Sequence, residues 1–175
     1  MKDRLFKISL AGFSFTGAIG SLCHFVYNWS GFSRAVALFC PINESIWEHT
    51  KLLFLPYLIW TAAEYFLLNK AKGIWFSKAI GLVAGILFLI SFYYTYTGAF
   101  GENSEILNIM SFFAGVFISF AVDFFMIKSD KFSETPYDTA GIIIFIVFSV
   151  LFIVFTFAPP LIPLFKDPVT DSFGI

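Results

Sequence analysis

The segment CPINESIWEHTK, which runs from Cys40 to Lys51, concentrates polar and ionisable side chains in an otherwise apolar chain. It holds two glutamates, a histidine, a lysine, a serine and an asparagine, and His24 lies a short distance upstream. Imidazole and carboxylate groups bind zinc-like ions and exchange protons at near-neutral pH. The residue types therefore predict a site for a small polar or cationic ligand.

The candidate ligand residues share a predicted location around the start of one helix. They are His24, Asn43, Glu44, Ser45, Glu48, His49 and Lys51. Four of these side chains are of the types that bind a divalent metal such as zinc, namely His24, Glu44, Glu48 and His49. No H-E-x-x-H pattern and no cysteine pair at zinc spacing accompanies them. The metal hypothesis therefore depends on these side chains meeting in space.

The same segment can also be interpreted as a helix start. Ser45 and Glu48 fit the S-x-x-E capping box, in which Ser45 caps the first turn and Glu48 reaches back to the Ser45 amide. Acidic residues near a helix N-terminus are also favoured by the helix dipole. A cap needs one or two polar groups, whereas the first two turns here carry five. We therefore keep the ligand site and the cap as alternatives.

The elements that position these residues follow from composition. The 175 residues are 58% hydrophobic and 21% aromatic, which is more apolar surface than a soluble domain of this length buries. Spanning a bilayer takes roughly 20 apolar residues per helix. We predict an all-α integral membrane bundle, a single domain over residues 1–175. Its five predicted spans cover about residues 5–28, 45–68, 74–96, 104–127 and 136–157, with a short re-entrant or surface helix within 35–42.

The distribution of basic residues predicts the orientation of this bundle. Lysine and arginine near span ends favour the cytoplasmic side. If the N-terminus is cytoplasmic, eight basic residues also lie on the cytoplasmic side: Lys2, Arg4, Lys7, Lys70, Lys72, Lys78, Lys128 and Lys131. The same orientation leaves Arg34, Lys51, Lys166 and the C-terminus outside. The candidate ligand residues then lie at the extracytoplasmic mouth of the bundle, and the absence of a basic cluster argues against a nucleic-acid partner.

Glu64 in the second predicted span and Asp123 in the fourth lie near the predicted cytoplasmic ends of their helices. Ionisable residues within membrane helices are a functional hypothesis by default. They are interpreted either as steps of a proton or ion path near the cytoplasmic side, or as interfacial partners of Lys70, Lys72 or Lys128. Polar groups near both faces would favour transport over chemistry on one side.

Small residues recur every four positions in two predicted spans. The first pair is Gly81 and Gly85, and the second set is Ser111, Gly115 and Ser119. Such stripes let helices approach closely, so they predict packing faces, within the protomer or in a homodimer.

Other features concern the two ends of the bundle. Cys23 and Cys40 are predicted on the outer side, where they could form a disulfide or pack as small apolar residues. The tyrosines of the sequence SFYYTYTG predict an aromatic belt at the same end, and one phenol could donate a hydrogen bond to the His24 layer. Thr135 to Asp138 fits a second capping box with proline at the first helical position.

Two longer strings carry a resemblance to a known family. These are GSLCHFVYNWSG, residues 20–31, and ALFCPINESIWEHTKLLFLP, residues 37–56, which includes an N-E-S-x-W-E-H signature. The chain resembles an uncharacterised family of small bacterial multi-pass membrane proteins, a domain of unknown function. The resemblance implies a location in the bacterial cytoplasmic (inner) membrane and singles out the region from His24 to Lys51. It implies no reaction.

Three functional hypotheses follow from the sequence. The first is binding or transport of a small polar or cationic solute at the outer mouth. The second is a metal-dependent hydrolase at the outer leaflet, in which the same side chains hold the ion and one glutamate acts as general base. The third is a structural or partner-binding subunit, which would leave no cavity around Glu44 and His49.

Overall fold

The computed structural model describes residues 2–175 and is all-helical over that range, as predicted. The α-helices are α1 (Lys2–Trp29), α2 (Arg34–Ala37), α3 (Ile46–Leu67), α4 (Ile74–Phe100), α5 (Glu105–Ser129) and α6 (Thr135–Phe157). A short 3-10 helix covers Pro163–Phe165, and a single antiparallel bridge joins Lys166 to Phe173. The short helix predicted within residues 35–42 is the four-residue α2.

Four of the long helices, α1, α4, α5 and α6, are long and apolar enough to cross a membrane. They correspond to the first, third, fourth and fifth predicted spans. The remaining long helix, α3, has the length of a span but lacks an equally apolar stretch, because it carries Glu48, His49, Lys51 and Glu64. The five-span topology and the orientation of the termini stay predictions.

Helix α3 is the long helix without a sufficiently apolar stretch to be a candidate span, and it is also the most enclosed. It contacts α1 and α4 along its length, and 11 of its 22 residues are buried. By contrast, only four of the 23 residues of α6 are buried, and its exposed face is aliphatic. The protein therefore surrounds its ionisable helix with apolar ones, which is the arrangement that a bilayer requires.

The two stripes of small residues face each other within one chain, between α4 and α5. A Cβ atom on Gly85 would lie 2.8 Å from the Gly115 carbonyl oxygen, and one on Gly81 would lie 2.5 Å from the Ser119 carbonyl oxygen. Because the helices approach this closely, the stripes pack α4 against α5. The alternative, a homodimer through Gly81, Gly85, Ser111, Gly115 and Ser119, stays a prediction.

The predicted capping box at the start of α6 does not form, because the N-cap residue is Glu134 and no side chain caps the helix. The helix begins at Thr135 with Pro136 in its first turn, as expected. The Asp138 carboxylate, however, accepts hydrogen bonds from the Gly73 amide at 2.8 Å and the Trp75 amide at 3.0 Å. It therefore caps α4, a different helix, whose own N-cap residue is a glycine without a side chain.

The two ends of the bundle are closed differently. At one end, a disulfide bond joins Cys23 to Cys40, and Phe165 of the C-terminal segment packs on Trp47 and Phe155. We name this the disulfide end; it also holds the start of α3. The opposite end, named the N-terminal end, holds the start of α1 and the connections 68–73 and 130–134.

Candidate functional site

Three predicted ligand residues meet at the disulfide end: His24 of α1, Glu44 of the preceding loop and His49 of α3. His49 Nε2 lies 3.3 Å from Glu44 Oε2, and His24 Nε2 lies 3.9 Å from Glu44 Oε1. One ligand atom from each residue lies within 4.8 Å of the other two. Both histidines of the chain and one carboxylate are thereby brought to one point.

Local structure holds each of these side chains in place. His24 follows Cys23, whose disulfide bond to Cys40 ties α1 to the loop that leads to α3. The His49 ring Nδ1 lies 3.0 Å from the Ser45 carbonyl oxygen. A carbonyl can only accept, so Nδ1 carries the proton of this hydrogen bond. In the neutral ring Nε2 is then the free lone pair, and it is directed at the Glu44 carboxylate.

This arrangement attracts positive charge. A lone pair and a carboxylate 3.3 Å apart repel each other unless a proton or a metal ion lies between them. A ligating histidine whose other ring nitrogen donates to a backbone carbonyl is the usual arrangement in metal sites. The geometry of His49 and Glu44 therefore suits a cation.

Solvent reaches the cluster, and its carboxylate is ionised. When His49 is protonated, its Nε2–H donates a hydrogen bond to Glu44, which lowers the pKa of the Glu44 carboxyl, an effect that partial burial opposes without cancelling. The Glu44 side chain remains 47% exposed and that of His24 33% exposed. An ion can therefore enter from the solvent without rearrangement of the helices.

A small cavity of about 30 Å³ adjoins Glu44 and His49. Its polar lining also includes Tyr93, Asn108 and Ser111, and Leu89 contributes to the apolar wall. The volume accommodates about two water molecules. The cavity is therefore suited to water or a very small ligand beside the cluster.

Glu48 and Lys51 were predicted in this site, but the structure places them in a separate buried network. Lys51 Nζ lies 2.7 Å from Glu48 Oε2 and 3.0 Å from the Ala37 carbonyl oxygen, and it also donates to the Thr156 hydroxyl. Glu48 accepts in addition from the Ile42 amide at 3.1 Å. Since both charges are paired and the ligand atoms that meet come from His24, Glu44 and His49, neither residue belongs to the cation-attracting cluster.

Asn43 and Ser45 lie beside the cluster and shape the start of α3. The Ser45 hydroxyl accepts from the Glu48 amide at 3.3 Å, which is the predicted cap. The Ser45 amide donates to Asn43 Oδ1 at 3.0 Å, so the reciprocal bond expected from Glu48 is made by Asn43. These two residues therefore position His49 and Glu44.

Glu64 and Asp123, predicted as separate residues near one face, converge on a single lysine. Lys78 Nζ lies 2.6 Å from Glu64 Oε2 and 2.8 Å from Asp123 Oδ2, and the Tyr57 hydroxyl donates to the same Asp123 oxygen. Their partner is thus Lys78 rather than one of the surface lysines proposed from the sequence. Sequence reasoning treated Lys78 as a flanking basic residue, although its position four residues inside α4 was a signal of burial.

The comparisons with known proteins identify a family and no activity. The model of a family of unknown function (DUF6512) matches residues 3–175. No curated protein and no solved structure matches the chain. The match covers nearly the whole chain, including both histidines and all long helices. The chain therefore belongs to the DUF6512 family of unknown function.

Proposed function

We propose that this chain is a multi-pass membrane protein that binds a divalent cation of the zinc type through His24, Glu44 and His49. The observation that carries the proposal is the approach of three ligand atoms, from α1, the loop and α3, to within 4.8 Å of one another. These residues are separated in sequence, so a helix cap does not require them to meet.

The donor set favours zinc over harder ions. Two imidazole nitrogens and one carboxylate oxygen suit zinc, whereas calcium and magnesium prefer oxygen ligands only. Three protein ligands leave one tetrahedral position, which the cavity beside Glu44 and His49 can supply with water. The proposed ion is therefore open to exchange or to a small ligand.

The proposal includes a topology in which α3 crosses the bilayer inside a ring of apolar helices. Lys51 and Lys78 are buried in ion pairs, so neither counts toward the loop charges. The remaining basic residues cluster at the N-terminal end, which favours a cytoplasmic position for that end. A disulfide at the opposite end agrees, because disulfides persist in oxidising compartments. The cation site would then face the outside of a cytoplasmic membrane.

Capture of a cation is favoured over the two alternatives by particular contacts. A hydrolase needs a general base beside the ion, and Glu48 is engaged by Lys51 and the Ile42 amide. A purely structural subunit was expected to enclose Glu44 and His49 without a cavity, and both side chains are partly exposed beside one. Cation binding is therefore the function that the geometry supports best, and it is the first step of the transport hypothesis.

The proposal is tested by titrating Zn²⁺ into the detergent-purified protein in a calorimeter. We expect one ion per chain, and we expect His24→Ala and His49→Ala to weaken binding at least tenfold each. Glu102→Gln removes an exposed acid from another loop at the same end and serves as the matched control. Circular dichroism confirms that each variant is folded.

Undiminished binding in both histidine variants, or no binding by the unmodified protein, would overturn the proposal. Acidification should also weaken binding, because imidazole must lose its proton to ligate a metal. If the ion is bound, zinc uptake into proteoliposomes then distinguishes transport from capture alone.

A further inference from the structure

A second group of ionisable side chains lies deep in the bundle near the N-terminal end. We name Tyr57, Glu64, Lys78 and Asp123 the inner cluster. Its members come from three helices, α3, α4 and α5, and all four have no exposed surface. Lys78 Nζ contacts both carboxylates, at 2.6 Å for Glu64 and 2.8 Å for Asp123. None of these residues takes part in the proposed zinc site.

The charges of the inner cluster do not balance. Two carboxylates face one ammonium group, and the Tyr57 hydroxyl is neutral. The aromatic rings of Phe120 and Tyr57, whose centroids lie 4.3 and 5.0 Å from Lys78 Nζ, favour the charged form of the lysine. With both acids ionised, the cluster would carry one uncompensated negative charge away from water, which is strongly unfavourable.

Charged groups on the neighbouring elements do not supply the missing positive charge. Those on α1, α5 and α6 around this end are Asp3, Arg4, Lys7, Lys128, Glu134 and Asp138. Arg4 donates to the Leu67 carbonyl oxygen, and Asp138 accepts from the first amides of α4. The other four residues are exposed at the surface. Among the side chains of residues 3–175, Lys78 is thus the sole basic group in contact with the two acids.

Buried oxygens of both acids also lack a hydrogen-bond donor. Both oxygens of Glu64 and Asp123 Oδ1 are buried and accept no hydrogen bond within the described part of the chain, and the contact of Glu64 Oε2 with Lys78 Nζ is an ion pair only. A proton on either carboxyl would supply both the missing charge and a hydrogen-bond donor. A metal cation would need several further oxygen ligands, and the backbone carbonyls of these continuous helices already accept intrahelical bonds.

We propose that the inner cluster is a binding site for a single exchangeable proton, carried by Glu64 or Asp123. Glu64 lies one turn before the C-terminus of α3, so the proton can exchange with the N-terminal end when that turn opens. The site is about 22 Å from His49, taking ~1.5 Å per helical residue. Proteins that couple their function to proton movement across a membrane use ionisable side chains within their helices to bind the proton. This inference is independent of the zinc site.

Infrared spectroscopy of the reconstituted protein at neutral pH tests the proposal. We expect the carbonyl stretching band of one protonated carboxylic acid, shifted to lower frequency in D₂O. Glu64→Gln and Asp123→Asn should each abolish this band, because Lys78 then neutralises the one remaining carboxylate. The exposed Glu102→Gln variant is the control and should keep the band. Replacing Na⁺ by K⁺ or choline should leave the band unchanged.

Three results would overturn the proposal. The first is absence of the band from the unmodified protein, and the second is its persistence in either neutralised variant. The third is appearance of the band only after alkali cations are removed, which would make a metal cation the occupant.

Thermal unfolding in detergent provides a second measurement. Each single variant should unfold within a few degrees of the unmodified protein. The double variant, in which Lys78 is unpaired, should unfold at a much lower temperature. A large fall in the unfolding temperature of both single variants would contradict the excess of one negative charge in the inner cluster.

Discussion

Lys51 and Lys78 are both buried inside the helical bundle, yet their surroundings differ in charge and in hydrogen bonding. The ammonium group of Lys51 has a partner for each of its three protons, and it faces one carboxylate, that of Glu48. Lys78 faces two carboxylates, Glu64 and Asp123, and two aromatic rings. The first environment is complete, and the second has one positive charge too few.

The difference separates structural from ligand-binding ionisable groups. The Glu48–Lys51 pair joins α3 to the Ile42 amide, the Ala37 carbonyl and α6, so it fixes the loop that presents Glu44. All of its strong donors and acceptors are used within the protein. In the inner cluster, three of the four buried carboxylate oxygens accept no hydrogen bond. Burial of a charged residue in membrane helices therefore does not by itself indicate function, and the state of its lone pairs decides.

The largest expected effect is that of Lys78→Met. This substitution leaves Glu64 and Asp123 buried without a counter-charge, so we expect a loss of about 5 kcal/mol in the free energy of unfolding or failure to fold. Unfolding in mixed detergent micelles measures the loss. Lys72→Met, at an exposed position in the nearby loop, is the control, and adding Glu64→Gln to the Lys78 variant should restore part of the stability. A change no greater than that of the control would show that the inner cluster carries little charge.

Glu48→Gln is expected to cost less, about 3 kcal/mol, because it leaves an unpaired buried ammonium that still donates to Ala37 and Thr156. The same glutamate-to-glutamine change at position 64 should be nearly neutral. The free energies of unfolding of the two variants, measured in parallel, compare the surroundings of Lys51 and Lys78 directly, because both variants carry the same glutamate-to-glutamine change. Equal losses at both positions would mean that the balance of charge does not distinguish the two lysines.

Replacing Cys23 and Cys40 by serine should cost about 2 kcal/mol, within the range for a closed loop of this length. The two cysteines are separated by 17 positions, and the loop between them leads to Glu44. Zinc affinity should also fall, because His24 is adjacent to one of them. The infrared band of the inner cluster, at the opposite end, should persist. A reductant should reproduce the loss in the unmodified protein and have no effect on the double variant.

The helical fold and the meeting of His24, Glu44 and His49 at one depth could be predicted from the sequence. The apolar composition indicates a bundle of membrane helices, and counting residues along α1 and α3 places the two histidines at the same depth. The direction of Glu48 could not be predicted, because Glu44 lies before the cap at Ser45, so the helical spacing of α3 does not relate the two side chains. Its partner Thr156 is 108 positions away, beyond any local pattern.

The inner cluster was identified only in part for a related reason. Glu64 and Asp123 were recognised because acids are rare within membrane spans. Their convergence on Lys78 depends on the rotation of three helices about their axes, which the close packing of α4 on α5 sets. Nearly uniform apolar composition hides this rotation, since no polar face marks which side of each helix points inward.

Helix α6 is the least buried of the long helices, yet one polar side chain near each of its ends bonds to a helix that precedes it in the sequence. Thr156 completes the environment of Glu48 and Lys51, and Asp138 caps the first amides of α4. A ribosome delivers these groups after every residue that they serve. During synthesis, the Glu48–Lys51 pair therefore lacks Thr156, and the start of α4 lacks its cap, until α6 has been made. The stability of both earlier helices thus depends on the last helix of the chain.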